Sequence, residues 1–207
     1  MSDLRAELPA NAFDKQDDGD DLAFYAPPRL VSHIDDGAVA ALTTYYARVI
    51  PPNAVVLDLM SSWISHLPPA LATAEVIGHG MNAVELQANV RLDRWFIADL
   101  NATPALPLPD DGVDVVLCCV GVQYFQRPVE VFAELRRVLR AGGLFAVSYS
   151  NRCFPTKAVR IWRALDMAGQ ARLIRLYMER SGFAAVKTEV LADGSTGDPL
   201  IVVAGTM

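Results

Sequence analysis

The stretch Ala54-Val55-Val56-Leu57-Asp58-Leu59 is apolar except for one acid, and it follows the proline pair Pro51-Pro52. Consecutive apolar side chains suit a strand covered on both faces, the pattern of a parallel sheet with helices packed above and below. Outward from it the same alternation recurs. Upstream, Asp35 or Asp36 is placed to cap a helix running to about Val49, which the prolines end. Downstream, Pro68-Pro69-Ala70 opens a short helix, Glu75 to His79 forms a second strand, and Asn82 with Glu85 makes a capping box for a helix to about Leu92. Trp95 to Ala98 and Val113 to Val120 read as the third and fourth strands. Pro128 then opens an amphipathic helix with Val131, Phe132, Leu135, Val138 and Leu139 on one face, which Gly142-Gly143 stops. Leu144 to Tyr149, Phe183 to Leu191 and Leu200 to Ala204 complete seven strands, with Thr156 to Ser181 mostly helical between them.

Strands separated by helices predict an α/β chain with a doubly wound, mostly parallel sheet and helices on both faces. The turn-rich Ala192 to Pro199 joins the last two strands as a hairpin, so the last strand is expected antiparallel. Three segments follow: an acidic, flexible stretch over 1–22, a strap and helix over 23–53 that would serve as a lid, and the sheet domain over 54–207. In such sheets ligands bind beyond the carboxyl ends of the strands, where strand order reverses. The loops after Leu59, Gly80, Ala98, Cys119 and Tyr149 are therefore where function is expected.

Composition excludes several classes. The chain has 207 residues, 52% hydrophobic and 20% charged, with a net charge of -6. That is enough apolar surface for a core, and the acidic balance gives no electrostatic reason to approach nucleic acid or an anionic membrane. No apolar run approaches the roughly 20 residues a membrane helix needs, and Met1-Ser2-Asp3-Leu4 lacks a secretory pattern, so a cytoplasmic location is expected. Three cysteines, Cys118, Cys119 and Cys153, suit reduced thiols, and the scattered His33, His66 and His79 provide no metal-ligand spacing. Composition does not set the oligomeric state.

Val56-Leu57-Asp58-Leu59, Asp99 after the third strand, and Asp114-Val115-Val116-Leu117 followed by Glu134 to Gly143 resemble class I S-adenosylmethionine-dependent methyltransferases of the type 11 or type 25 branch. The likeness spans about Ala54 to Met207 and implies a Rossmann-like fold, S-adenosyl-L-methionine as cofactor and methyl transfer to a small molecule. The first cofactor loop departs from the family: where glycines alternate, this chain has Met60-Ser61-Ser62-Trp63-Ile64. Without glycine the backbone loses its freedom to approach a ligand closely. The acid expected at the end of the second strand, which accepts from the ribose hydroxyls, falls on Gly80. Glu85 could replace it, although the capping box explains that residue as well.

By resemblance, cofactor contacts are expected from Asp58, Met60, Ser61, Ser62, Trp63, Gly80, Met81, Asn82, Asp99, Leu100, Cys119 and Val120. Within that set, Asp99 would accept from the adenine amino group, and the Ser61 and Ser62 hydroxyls would donate in place of glycine amides. Substrate contacts are expected from Tyr25, Arg29, His33, Tyr124, Asn151 and Arg152, the two arginines suiting an anionic acceptor. No catalytic residue stands out. The rival expectation is a silent protein that keeps the fold and has a binding or regulatory role.

Overall fold

A computed structural model describes residues 7–207. Among the described residues the α-helices and strands follow in the order α1 (Asp21–Tyr25), α2 (Asp36–Val49), β1 (Val55–Leu59), β2 (Glu75–Gly80), α3 (Ala83–Ala88), β3 (Arg94–Ile97), β4 (Val113–Cys119), α4 (Pro128–Val138), β5 (Leu139–Tyr149), α5 (Arg160–Ala164), α6 (Met167–Arg180), β6 (Ala184–Ala192) and β7 (Leu200–Thr206), with a 3-10 turn over Val122–Tyr124 before α4. The seven strands form one sheet in the order β3-β2-β1-β4-β5-β7-β6. The first five in that order run parallel, and β7 lies antiparallel between β5 and β6. This is the Rossmann-like sheet expected from the strand pattern, antiparallel last strand included.

Alternation along each strand builds two cores. Leu57, Leu59, Val116 and Phe145 face α4 and α6, packing on Phe132, Leu135, Ile174 and Tyr177. Val56, Val76, Val115 and Ala146 face the other way, against Leu42, Tyr45 and Tyr46 of α2. Asp58 lies between Leu57 and Leu59 and so belongs to the α2 side, at the point where the chain leaves β1 for β2 on one flank and later β4 on the other. That reversal of strand order is the switch point of the sheet.

Several boundaries differ from the sequence pattern. The stretch 156–181 is mostly helical as expected, divided at Leu165-Asp166, where the Asp166 side chain accepts from the Gly169 N–H at 2.7 Å and starts α6 afresh. Only a single turn, closed by the Leu71 N–H on the Pro68 carbonyl at 3.0 Å, forms where a helix after Pro68 is predicted. α3 ends at Ala88, four residues early, where Asn89 turns back to bond the β1 loop.

Of the acidic stretch expected to be flexible, residues 1–6 lie outside the described residues, and residues 7–21 are packed down, contrary to their charge density. Ala12 and Phe13 enter the core, and the Arg160 and Ile161 N–H groups donate to the Asp14 and Ala12 carbonyls at 2.8 Å each. Lys157, 1% exposed, pairs with Asp17 at 3.2 Å and Asp21 at 3.1 Å, and Lys15 pairs with Asp21 as well. Two buried ammonium groups neutralise the acids, a pairing that local composition does not reveal.

Candidate functional site

A cavity of about 110 Å³ lies over the carboxyl ends of β1, β2 and β4. Its floor is the first loop after β1. There Met60 has φ 57°, the left-handed backbone that glycine normally occupies and that costs another residue roughly 1–2 kcal/mol. The loop thus keeps a glycine-type turn without a glycine. Its side chain rests on Gly121, where an added Cβ would sit 2.9 Å from both Met60 Cβ and Sδ.

Three hydroxyls of the loop are engaged by the protein's own carboxylates. Ser61 Oγ donates to Asp58 Oδ2 at 2.7 Å, Ser65 Oγ donates to the same oxygen, and Ser62 Oγ donates to Glu85 Oε2 at 2.6 Å. Burial pushes the Asp58 carboxyl up, and the two serine hydroxyls partly offset this. Asn82 caps α3, accepting from the Val84 and Glu85 N–H groups at 2.9 and 3.1 Å. Glu85, however, does not close a capping box: its other oxygen accepts from the Arg29 N–H at 2.6 Å.

That last bond belongs to a clasp. Residues 20–34 cross the mouth of the cavity, held by Asn82 Nδ2 on the Tyr25 and Ala26 carbonyls at 2.8 and 2.9 Å and by Trp63 Nε1 on the Val31 carbonyl at 3.0 Å. Trp63 therefore braces the strap and does not line the cavity. Beyond the strap a groove of about 920 Å³ runs past Val120, Arg152 and Cys153, and it shares Arg29, His33, Tyr124 and Phe154 with the cavity.

Most of the residues expected from the sequence meet here. Asp58, Met60, Ser61, Ser62, Gly80, Met81, Asn82, Leu100, Cys119 and Val120 line the cavity, as do Tyr25, Arg29, His33 and Tyr124. Asp99 lies outside the lining: its Oδ1 accepts from the Asn101 and Ala102 N–H groups at 2.8 and 3.3 Å and shapes the turn that presents Leu100. Asn151 touches neither space, and Arg152 pairs with Asp198 at 2.8 Å on the groove rim.

The cations available to an anion are occupied. Arg29 donates to the Phe24 and Pro27 carbonyls and lies 4.7 Å over the Phe24 ring and 5.3 Å over Phe154. Sequence reasoning missed His66, Ser65, Tyr46, His79 and Phe154 in the lining. His66 Nδ1 and the Tyr25 hydroxyl are buried without a hydrogen-bond partner. Burial, with the nearby His33 charge, lowers the His66 imidazole to about 4, so it is neutral at pH 7. Burial also raises the Tyr25 phenol. Two orphaned polar atoms in one cavity are what a bound molecule would satisfy.

The sheet order is that of the Rossmann-like methyltransferase fold. Residues 60–147, a little under half of the chain, match the family model described as a methyltransferase domain. An uncharacterized methyltransferase of Mycobacterium ulcerans (strain Agy99) is 36% identical over 81 residues, which cover 39% of this chain and 31% of that protein. A Haloferax volcanii methyltransferase chain, solved with the Trm112 methyltransferase activator, superposes with TM-score 0.62 at 15% identity, covering 83% of this chain and 90% of that one. An S-adenosylmethionine-dependent methyltransferase from Mesorhizobium loti gives TM-score 0.57 at 16% identity, over 81% of this chain and 98% of its own. Among the described residues no helix is long and apolar enough to cross a membrane, and no cluster of three metal-ligating side chains occurs.

The cofactor that the match to a methyltransferase domain implies is S-adenosyl-L-methionine. The residues present suit it in kind: a bare backbone at Gly80 and Gly121, the Leu100 floor, the Asp58 carboxyl for a cationic group, and two unsatisfied polar atoms. They suit it less in size, since ligand pockets usually enclose ~300–1,000 Å³.

Proposed function

We propose that the protein transfers a methyl group from S-adenosyl-L-methionine to a small-molecule acceptor that enters through the groove. The observation that carries this is the cavity over β1, β2 and β4 at the switch point, in a chain whose residues 60–147 match a methyltransferase domain. When bound, the cofactor supplies a sulfonium-activated methyl group; positioning and exclusion of water fall to the protein. Asp58 lies where the loop turns away from β1, and Gly80, Met81, Asn82 and Leu100 form the opposite end. The strap over residues 20–34 acts as the lid, and the small enclosed volume is its closed form.

The acceptor is expected to be uncharged. Arg29 and Arg152 are both engaged, and the lining carries the Asp58 and Glu85 carboxylates. The neutral His66 imidazole and the Tyr25 hydroxyl are available to hold its hydroxyl or amine hydrogen. A second reading, binding without transfer, is favoured by the engagement of Ser61, Ser62, Asp58 and Glu85 with one another.

Calorimetric titration with S-adenosylhomocysteine tests the first reading. Micromolar binding supports it, and no heat at millimolar ligand overturns it. Binding without turnover on any of a series of phenols and aromatic amines would favour the second.

A further inference from the structure

We infer that His79 is a positioning residue for the cofactor loop, its imidazole fixing Met60 in the left-handed backbone that a glycine would otherwise supply. This rests on the methyltransferase reading of the cavity. His79 is the penultimate residue of β2, inside its buried run, and is 1% exposed. Its Nδ1 accepts from the Met60 N–H at 3.2 Å, its carbonyl accepts from the Ser61 N–H at 2.6 Å, and its Nε2 lies 3.0 Å from the Ala98 carbonyl. A backbone N–H only donates and a carbonyl only accepts, so the ring must carry its proton on Nε2 and present a bare Nδ1. One side chain therefore ties the ends of β1, β2 and β3 together beneath the cavity.

The position matters because Met60 has φ 57° and its side chain is packed on Gly121. A methionine there is held by its partners, since its own preferences oppose that backbone. Burial lowers the His79 imidazole to about 4, which keeps Nδ1 bare across the neutral range. The ring lies 5.3 Å from Phe96, which limits its rotation.

The amide variants separate the two ring nitrogens. Asparagine places its oxygen near the position of Nδ1, whereas glutamine places its amide near Nε2. His79→Asn should therefore keep S-adenosylhomocysteine affinity within about twofold, and His79→Gln should weaken it by about tenfold, the scale of one unsatisfied buried donor. Adding Met60→Gly to His79→Gln should restore binding, because glycine adopts the turn unaided. Equal losses in both amide variants, or no rescue by Met60→Gly, would show a merely structural histidine and overturn the inference.

Nitrogen-15 spectra of the wild-type chain supply a readout that does not depend on the ligand or on variants that fail to fold. A proton on Nε2, with slow exchange of the Met60 amide, is expected; a proton on Nδ1 would sink the inference. Absent S-adenosylhomocysteine binding in the wild type would count against the proposed function, while these spectra would still decide the role of His79.

Discussion

Restoring the ribose acid of the family by Gly80→Asp should damage the site it is meant to repair. A Cβ at position 80 would stand 2.5 Å from the Ser61 carbonyl oxygen and 3.2 and 3.4 Å from the Leu86 methyl groups. Leu86 is fully buried, and the Ser61 peptide is anchored by its N–H on the His79 carbonyl at 2.6 Å, so neither neighbour yields freely. Overpacking of this kind costs about 1–3 kcal/mol. A new carboxylate beside the buried Asp58 and the engaged Glu85 adds like-charge repulsion. The combined loss of ~3 kcal/mol corresponds to a fall in Tm of roughly 6–12 °C for a chain of this size. Differential scanning calorimetry on Gly80→Asp and on Gly80→Ala, which adds the Cβ alone, separates packing from charge. Titration with S-adenosylhomocysteine should show weaker binding in both. A Gly80→Asp protein as stable as the wild type, binding the ligand more tightly, would refute the coupling between the altered first loop and the missing acid.

Acid should destabilise the fold before the carboxylates titrate. The folded His79 imidazole lies near 4, below its ordinary 6.5, so the unfolded chain binds more protons between these values and stability falls as pH drops through that window. At pH 5 this amounts to about 2 kcal/mol relative to pH 7, while Asp58, shifted up, acts in the opposite sense. Urea titrations should show the slope in the wild type and a shallower one in His79→Asn; parallel slopes would discount the histidine. Asn82→Ala removes the cap of α3 and both bonds to the strap, so ~1–2 kcal/mol is expected to be lost. Protease cleavage within residues 20–34 should accelerate in that variant, and an unchanged digestion rate would argue against a clasp. Lys157→Met leaves Asp21 with Lys15 as its one ammonium partner, beside the Asn101 amide, and should cost ~3 kcal/mol by chemical denaturation, a loss that a well-tolerated substitution would contradict.

The sheet was legible because its signals are local. Runs such as Val55–Leu59 need cover on both faces wherever they lie, and the turn-rich 192–199 stretch dictates a hairpin without reference to distant residues. The site was legible as a place more than as a set of bonds. Asp58, Gly80, Asn82 and Leu100 follow from strand ends, and all line the cavity. Their partners do not follow: Glu85 bonds a backbone 56 residues away at Arg29, and Asn82 reaches 57 residues to Tyr25. His79 was hidden for the same reason, since a polar residue closing a buried strand is interpretable only when the groups flanking its ring are known. Asp99 shows the converse, an acid in the expected place whose oxygen is taken up by its own turn.

Asp35 and Asp198 each accept the other's backbone N–H, at 3.0 and 2.6 Å, across a separation of 163 residues, and both line the groove. A pairing between such distant points forms only after the intervening chain has condensed, so this rim should be among the last parts of the molecule to assemble. During synthesis the cavity floor would be in place while its antechamber still lacked one wall, and a polypeptide arrested before Asp198 would hold the loop after β1 with the groove rim unclosed.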